Sequence, residues 1–132
     1  MLNVVLDTNV LVSGLLSAKG HPAQIVNAFK ANQFNFFYSA EIMLEYRDVL
    51  SRSRFGFEAK DVDDLLDTIA TIGFPVIPEI SKIQLPDEDD RVFYDVAKSS
   101  GSYLITGNIK HYPSEPLVVT PAQFVALIAS EN

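Results

Sequence analysis

Cysteine is absent from this 132-residue chain, which excludes disulfide frameworks, thiolate zinc sites, CxxC redox chemistry and cysteine nucleophiles. None of these is needed for stability. At roughly 100 to 200 residues per domain the length fits one globular unit, and a domain of about 150 residues buries roughly two-thirds of the surface its unfolded chain exposes. Long hydrophobic runs are missing too. The opening Met1-Leu2-Asn3-Val4-Val5-Leu6-Asp7 has no basic segment and soon reaches a carboxylate, and nothing later approaches the roughly 18 apolar residues of a membrane span. The expectation is a soluble, cytoplasmic protein. Histidine is scarce: His21 and His111 lie in loop contexts beside lysine and proline, without ligand spacing to one another, and read as surface residues. Positive charge is also short, with 10 basic against 17 acidic residues and a net charge of -7, which opposes gripping nucleic acid by bulk electrostatics. Carboxylates grouped around divalent cations would weaken that objection, because the ions cancel local negative charge. The positions of the acids therefore decide the reading.

Hydrophobic residues make up 48% of the chain, and they fall in runs of strand type that alternate with stretches of helical period. Val4 to Leu6, Phe34 to Tyr38, Pro75 to Ile77, Tyr103 to Thr106 and Leu117 to Val119 read as strands. Pro22 to Lys30, Ala40 to Arg52 with Ser39 as N-cap, Asp61 to Gly73, Asp87 to Ser100 and Pro121 to Ser130 read as helices. This alternation predicts a single α/β domain over residues 1–132, with a central, mostly parallel sheet of about five strands flanked by helices. There is no repeat, low-complexity tract or linker. In such folds the active crevice lies at the carboxyl ends of the strands. Two of those ends are unusually polar: Leu6-Asp7-Thr8-Asn9 and Ile105-Thr106-Gly107-Asn108. Turn formation and helix capping explain either one taken alone.

A helical wheel at about 100° per residue separates solvated acids from suspicious ones. Ile42, Met43, Tyr46, Val49 and Leu50 form one apolar arc after Ser39. Glu45 sits at its edge, either facing a cleft or pairing at the boundary with Arg52, while Glu41 and Asp48 lie further out. In the segment after Pro86, Val92, Phe93, Tyr94, Val96 and Ala97 define the buried side. Asp90 projects between Ala97 and Tyr94, whereas Asp95 is expected to point away. A carboxylate inside an apolar arc needs a partner or neutralises. Asp87 serves as an N-cap and Glu88 suits the helix dipole, Asp90 could complete the cap, and Asp89 stays ambiguous. By contrast Asp61, Asp63, Asp64 and Asp67 alternate with Val62, Leu65, Leu66 and Ile69 as a plain amphipathic helix does. Hard oxygen ligands without sulfur or an imidazole pair suit Mg²⁺ or Mn²⁺ rather than zinc.

The set Val4-Val5-Leu6-Asp7-Thr8-Asn9-Val10-Leu11-Val12-Ser13-Gly14, Gly20-His21-Pro22, Ser39 to Tyr46, Pro86 to Asp90 and Leu104 to Asn108, in this order, resembles a PIN domain. More narrowly it resembles the bacterial branch regarded as toxin components of type II toxin-antitoxin pairs. The resemblance implies an acidic Mg²⁺ or Mn²⁺ pocket that hydrolyses RNA phosphodiesters. By matching position Asp7 is the strand-end acid, Glu45 the helix acid and Asp90 the third, all three as metal ligands. The fourth position, commonly Asp, falls on Asn108, a neutral ligand or water positioner that lowers the pocket charge by one. Thr8, Asn9 and Thr106 match supporting polar positions. Implied partners are an RNA substrate and an antitoxin protein that brings a basic side chain to the acids, with a homodimer also allowed and no membrane. Arg47, Arg52 and Arg54 after Glu45, and Lys110 with His111 after Asn108, are candidates to reach flanking phosphates, although surface solubility explains them equally. Two rivals stand beside a nuclease. Phosphoryl transfer through an aspartyl phosphate, as in haloacid-dehalogenase-like proteins, needs a second acid where Asn9 stands. A catalytically weak or inactive PIN scaffold that binds RNA or an antitoxin would accommodate Asn108.

Overall fold

In a computed structural model, which describes residues 1–131, five strands and six α-helices are interspersed along the chain. They are β1 (Asn3–Leu6), α1 (Thr8–Leu16), α2 (His21–Lys30), β2 (Asn35–Tyr38), α3 (Ala40–Leu50), α4 (Ala59–Ile72), β3 (Phe74–Pro75), α5 (Arg91–Ser100), β4 (Tyr103–Ile105), β5 (Val118–Val119) and α6 (Pro121–Glu131). All strand pairs are parallel, in the order β3-β2-β1-β4-β5. The expected mostly parallel sheet is parallel throughout. Central β1 pairs Val4 with Phe36 on one side and with Tyr103 on the other, so Val4, Val5 and Leu6 are buried on both faces. That is why β1 reads as a continuous apolar run instead of an alternating one.

From β1 the chain steps outward through β2 to β3, then returns to the opposite side of β1 for β4 and β5. The reversal puts the topological switch point between the carboxyl ends of β1 and β4, where open α/β sheets form their ligand crevice. No helix among the described residues is long and apolar enough to cross a membrane.

Helix α1 has no counterpart in the sequence expectation. Val10, Leu11 and Val12 are all buried and Leu16 is exposed, so the polar stripe that a helical period needs is reduced to Asn9 and Ser13. Its Gly14 lies so close to α2 that a Cβ there would stand 2.6 Å from the Pro22 carbonyl oxygen and from Val26 Cγ2. Bare backbone at this point lets α1 and α2 pack together and fixes the direction in which the chain leaves Asp7.

A second correction concerns the helix expected from Asp87. Glu88–Asp90 form a 3₁₀ turn, with Asp87 accepting at 3.0 Å from the Asp89 N–H, and the α-helix begins only at Arg91. Asp95, expected to point to solvent, is 4% exposed. The wheel considers one helix alone, whereas residues 76–85 run in extended form along α5. Their attachments are the Glu79 N–H to Ser99 Oγ at 3.0 Å and Arg91 Nη1 to the Ser81 carbonyl at 2.8 Å. Smaller differences are end effects: β3 falls at Phe74–Pro75 instead of Pro75 to Ile77, and α3 stops at Leu50.

Candidate active site

Asp7 is the hinge between β1 and α1. Its extended backbone (φ -63, ψ 143) ends the strand, and its N–H still donates to the Ile105 carbonyl at 3.0 Å, which ties it to the end of β4. The side chain is 7% exposed. Its Oδ2 accepts from Thr106 Oγ1 at 2.9 Å and from the Tyr112 hydroxyl at 3.0 Å. Thr106 Oγ1 in turn accepts from the Asn108 N–H at 3.0 Å, so backbone, threonine and aspartate form a relay across the switch point. Burial pushes the Asp7 carboxyl above its ordinary pKa; the two hydroxyls and the backbone N–H groups of Asn9 and Thr8 pull it partly back.

Glu45 reaches the same region from α3, which Ser39 starts by accepting from the Ile42 N–H at 3.2 Å. Its Oε2 accepts from Thr8 Oγ1 at 2.5 Å. The next residue, fully buried Tyr46, donates to the Leu6 carbonyl at 2.5 Å and so fastens α3 to the end of β1. Of the two readings left open for Glu45, pairing with Arg52 is not the contact formed, because Arg52 engages Asp48 at 3.1 Å. Burial raises the Glu45 pKa, Thr8 counters it, and the charges of Asp7 and Asp89 raise it further.

Asp90 stands where the 3₁₀ turn meets α5, with its side chain 16% exposed. Its Oδ2 is buried and accepts no hydrogen bond among the described residues. His111 Nδ1 lies 3.3 Å away and pairs ionically with it only in the protonated form of the imidazole. Burial first, then the charges of Asp7 and Asp87, push the Asp90 carboxyl up to about 6, against the pull of His111. His111 is therefore only partly a surface residue, with one ring nitrogen turned toward an acid.

Burial raises Asp7, Glu45 and Asp90, which come from three separate elements, and the charge of Asp7 raises the other two further, so all three favour their neutral forms more than free carboxyls do. A divalent cation would relieve the repulsion, and a set of hard oxygens with Asp90 Oδ2 left without a hydrogen bond among the described residues is of the chemistry that such a cation takes. No three His, Asp or Glu side chains among the described residues converge tightly enough to wrap one ion. A divalent ion bound here would have fewer than three of these side chains as ligands and would depend on water for the rest of its shell.

The other expected residues are more dispersed. Asn108 is exposed and begins a 3₁₀ turn, Ile109–His111, while Asn9, also exposed, has its side chain beside Gly107. Arg47 is bound to Asp63 at 2.6 Å, Arg54 lies 4.8 Å over the Phe55 ring, and Lys110 is exposed. Two residues were missed from sequence. Tyr112 gave no signal because it meets Asp7 across 105 positions, and Tyr46 read only as part of an apolar arc, although its place next to Glu45 could have suggested a shared anchor.

A family model described as PIN domain matches residues 3–110. The chain belongs to the PIN domain family. The matched span runs from β1 into the turn after Asn108, so it takes in every acid described above and leaves β5 and α6 outside. An uncharacterized protein of Methanocaldococcus jannaschii is 29% identical over 111 residues, covering 81% of this chain and 71% of that protein. No solved structure gives a significant match. PIN domains are generally nucleases and typically use divalent metals, and the fold of this PIN domain is nuclease-like.

Proposed function

We propose that this PIN domain is a Mg²⁺- or Mn²⁺-dependent endoribonuclease, in which one or two of the crevice acids Asp7, Glu45 and Asp90 ligate a hydrated ion, with Asn108 at the rim. The observation that carries the reading is the hydroxyl-braced Asp7 at the switch point, electrostatically linked to two further acids from α3 and the start of α5. When bound, the ion supplies an activated water and stabilises the charge that develops on the departing oxygen. Thr106 and Tyr112 both donate to Asp7 Oδ2 and brace the carboxylate. Thr8 does the same for Glu45 through Oε2. Lys110 and His111, on the turn that follows Asn108, are placed to meet substrate phosphates near Asp90, and Arg52 and Arg54 would act further along the strand. Crowded acids titrate as a set, so the pocket loads its ion as a unit. An acidic crevice of this kind also suits an arginine from an antitoxin, and this is the motive for reading the protein as the toxin of a toxin-antitoxin pair.

A second reading has its own support: the amide at Asn108 and the loose spacing of the acids favour a weak or inactive scaffold that binds RNA or a partner. Incubating the protein with mixed RNA in Mn²⁺ and in EDTA separates the two. Metal-dependent fragments that disappear in Asp7→Asn support the nuclease. Retention of RNA without cleavage at any Mn²⁺ concentration supports the scaffold.

A further inference from the structure

The connection between β4 and β5 carries much of what surrounds Asp7: Thr106 and Tyr112 donate to its Oδ2, and His111 lies beside Asp90. From residue 107 to 114 its backbone-to-backbone hydrogen bonds among the described residues stay within the segment, from the His111 N–H to the Asn108 carbonyl at 3.0 Å and from the Tyr112 N–H to the Ile109 carbonyl at 3.2 Å. Such bonds give the turn its shape and leave its placement to side chains. Glu115 makes two of the placing contacts. Its Oε2 accepts from the Tyr94 hydroxyl at 2.5 Å and its Oε1 from Lys98 Nζ at 2.7 Å, so both carboxylate oxygens are tied to α5. Lys98 and Tyr94 hold the Glu115 carboxyl below its ordinary pKa, while burial first and then the bond to Glu115 push the Tyr94 phenol up to about 12. At neutral pH Glu115 is therefore ionised and Tyr94 is the donor of a charge-assisted bond. Lys98, half exposed, adds a more screened attraction.

Asp90, Tyr94 and Lys98 are spaced four apart and stand one above another along α5. His111 and Glu115, also four apart, meet the first of them and the other two in the same order. The connection is thus laid along α5 at two points, and between them Tyr112 turns to Asp7. The point at Asp90 is the weaker, because His111 pairs there only when protonated. The side chain of Glu115 is also separable from its backbone, whose carbonyl accepts from the Val118 N–H at 3.0 Å ahead of β5 whatever side chain it carries. We propose that Glu115 is a positioning residue: through Tyr94 and Lys98 it fixes the connection on α5 and thereby holds the Tyr112 hydroxyl on Asp7. The consequence for metal loading rests on the nuclease reading, whereas the placement of Tyr112 does not.

The test reads the Tyr112 hydroxyl proton by NMR of the full chain in EDTA, identified by its loss in Tyr112→Phe, with Mn²⁺ affinity as the second readout. Donation to a buried carboxylate slows the exchange of that proton with water. Glu115→Ala and Tyr94→Phe should each speed its exchange by at least about tenfold, and Glu115→Gln, whose amide oxygen still accepts from Tyr94, should lie between Glu115→Ala and the parent. Mn²⁺ affinity should fall in Glu115→Ala and Tyr94→Phe, and the fall should vanish when either is made in Tyr112→Phe, because Glu115 acts through that hydroxyl. The proposal is overturned by unchanged exchange in both variants, by a parent that shows no slowly exchanging Tyr112 hydroxyl, or by an equal loss of Mn²⁺ affinity with and without that hydroxyl, the mark of general loosening. Tyr94→Phe keeps the buried ring and decides the matter where Glu115→Ala folds poorly. A parent that binds no Mn²⁺ overturns the metal reading instead, and the hydroxyl signal then decides the role of Glu115 alone.

Discussion

Replacing Tyr112 with phenylalanine leaves a buried ring in place, 5% exposed, and removes only the hydroxyl that donates to Asp7 Oδ2 at 3.0 Å. A hydrogen bond to a charged group contributes about 1.5–3 kcal/mol, and Asp7 is buried enough for that range to apply without much solvent screening. The variant should therefore lose about 1.5–3 kcal/mol of folding stability at neutral pH, with Thr106 as the remaining side-chain donor to Asp7. The loss has a pH signature. The Asp7 carboxyl titrates above its ordinary 3.8 in the folded protein, so the folded state binds the proton more tightly than the unfolded one. Stability then falls as pH rises from 3.8 through the folded pKa, and a hydroxyl that favours the ionised form offsets that fall only above this window. Urea unfolding with EDTA present should show the full difference between parent and variant at neutral pH. The difference should shrink as pH falls toward 3.8 and the folded state retains the Asp7 proton, because a hydrogen bond to a neutral group contributes only about 0.5–1.5 kcal/mol. An equal loss at both pH values, or none at either, would refute the bond to an ionised Asp7 and with it the bracing of the site.

Gly14→Ala should destabilise the fold by about 1–3 kcal/mol in thermal melts, because the new methyl group would sit 2.6 Å from the Pro22 carbonyl oxygen and Val26 Cγ2. In an RNA cleavage assay over a full Mn²⁺ titration, Asn108→Asp should tighten metal binding and raise the rate; no gain would show that the amide is not limiting. Mn²⁺ affinity measured by titration calorimetry should rise with pH through about 6 as the Asp90 carboxyl gives up its proton, with proton uptake by the buffer in that window.

Much of the architecture was legible because it rests on local patterns. Apolar runs marked β1, β2, β4 and β5, and Ser39, Pro121 and the period of α4 marked helices near their true bounds. Helix α1 was not legible, since the consecutive buried Val10 to Val12 and an exposed Leu16 leave only a weak polar stripe at Asn9 and Ser13. Asp7, Glu45 and Asp90 could be singled out as acids at strand ends or on apolar faces, and Thr8 and Thr106 as supporting polar positions through the resemblance, whereas the brace from Tyr112 could not. Tyr112 reaches Asp7 across 105 positions, a long-range contact that leaves no mark on neighbouring residues. Asp95 misled the wheel for a related reason: its cover comes from residues 76–85, whose lack of regular structure hides where they lie.

The most direct test of the central claim is Mn²⁺ titration into the parent, Asp7→Asn and Asp90→Asn, followed by calorimetry. One site built from acids on separate elements predicts binding by the parent and a loss of at least about tenfold in each variant, because a hydrated ion held by so few protein oxygens cannot spare one. Unchanged affinity in both variants would contradict the assignment and place any divalent ion elsewhere on the protein.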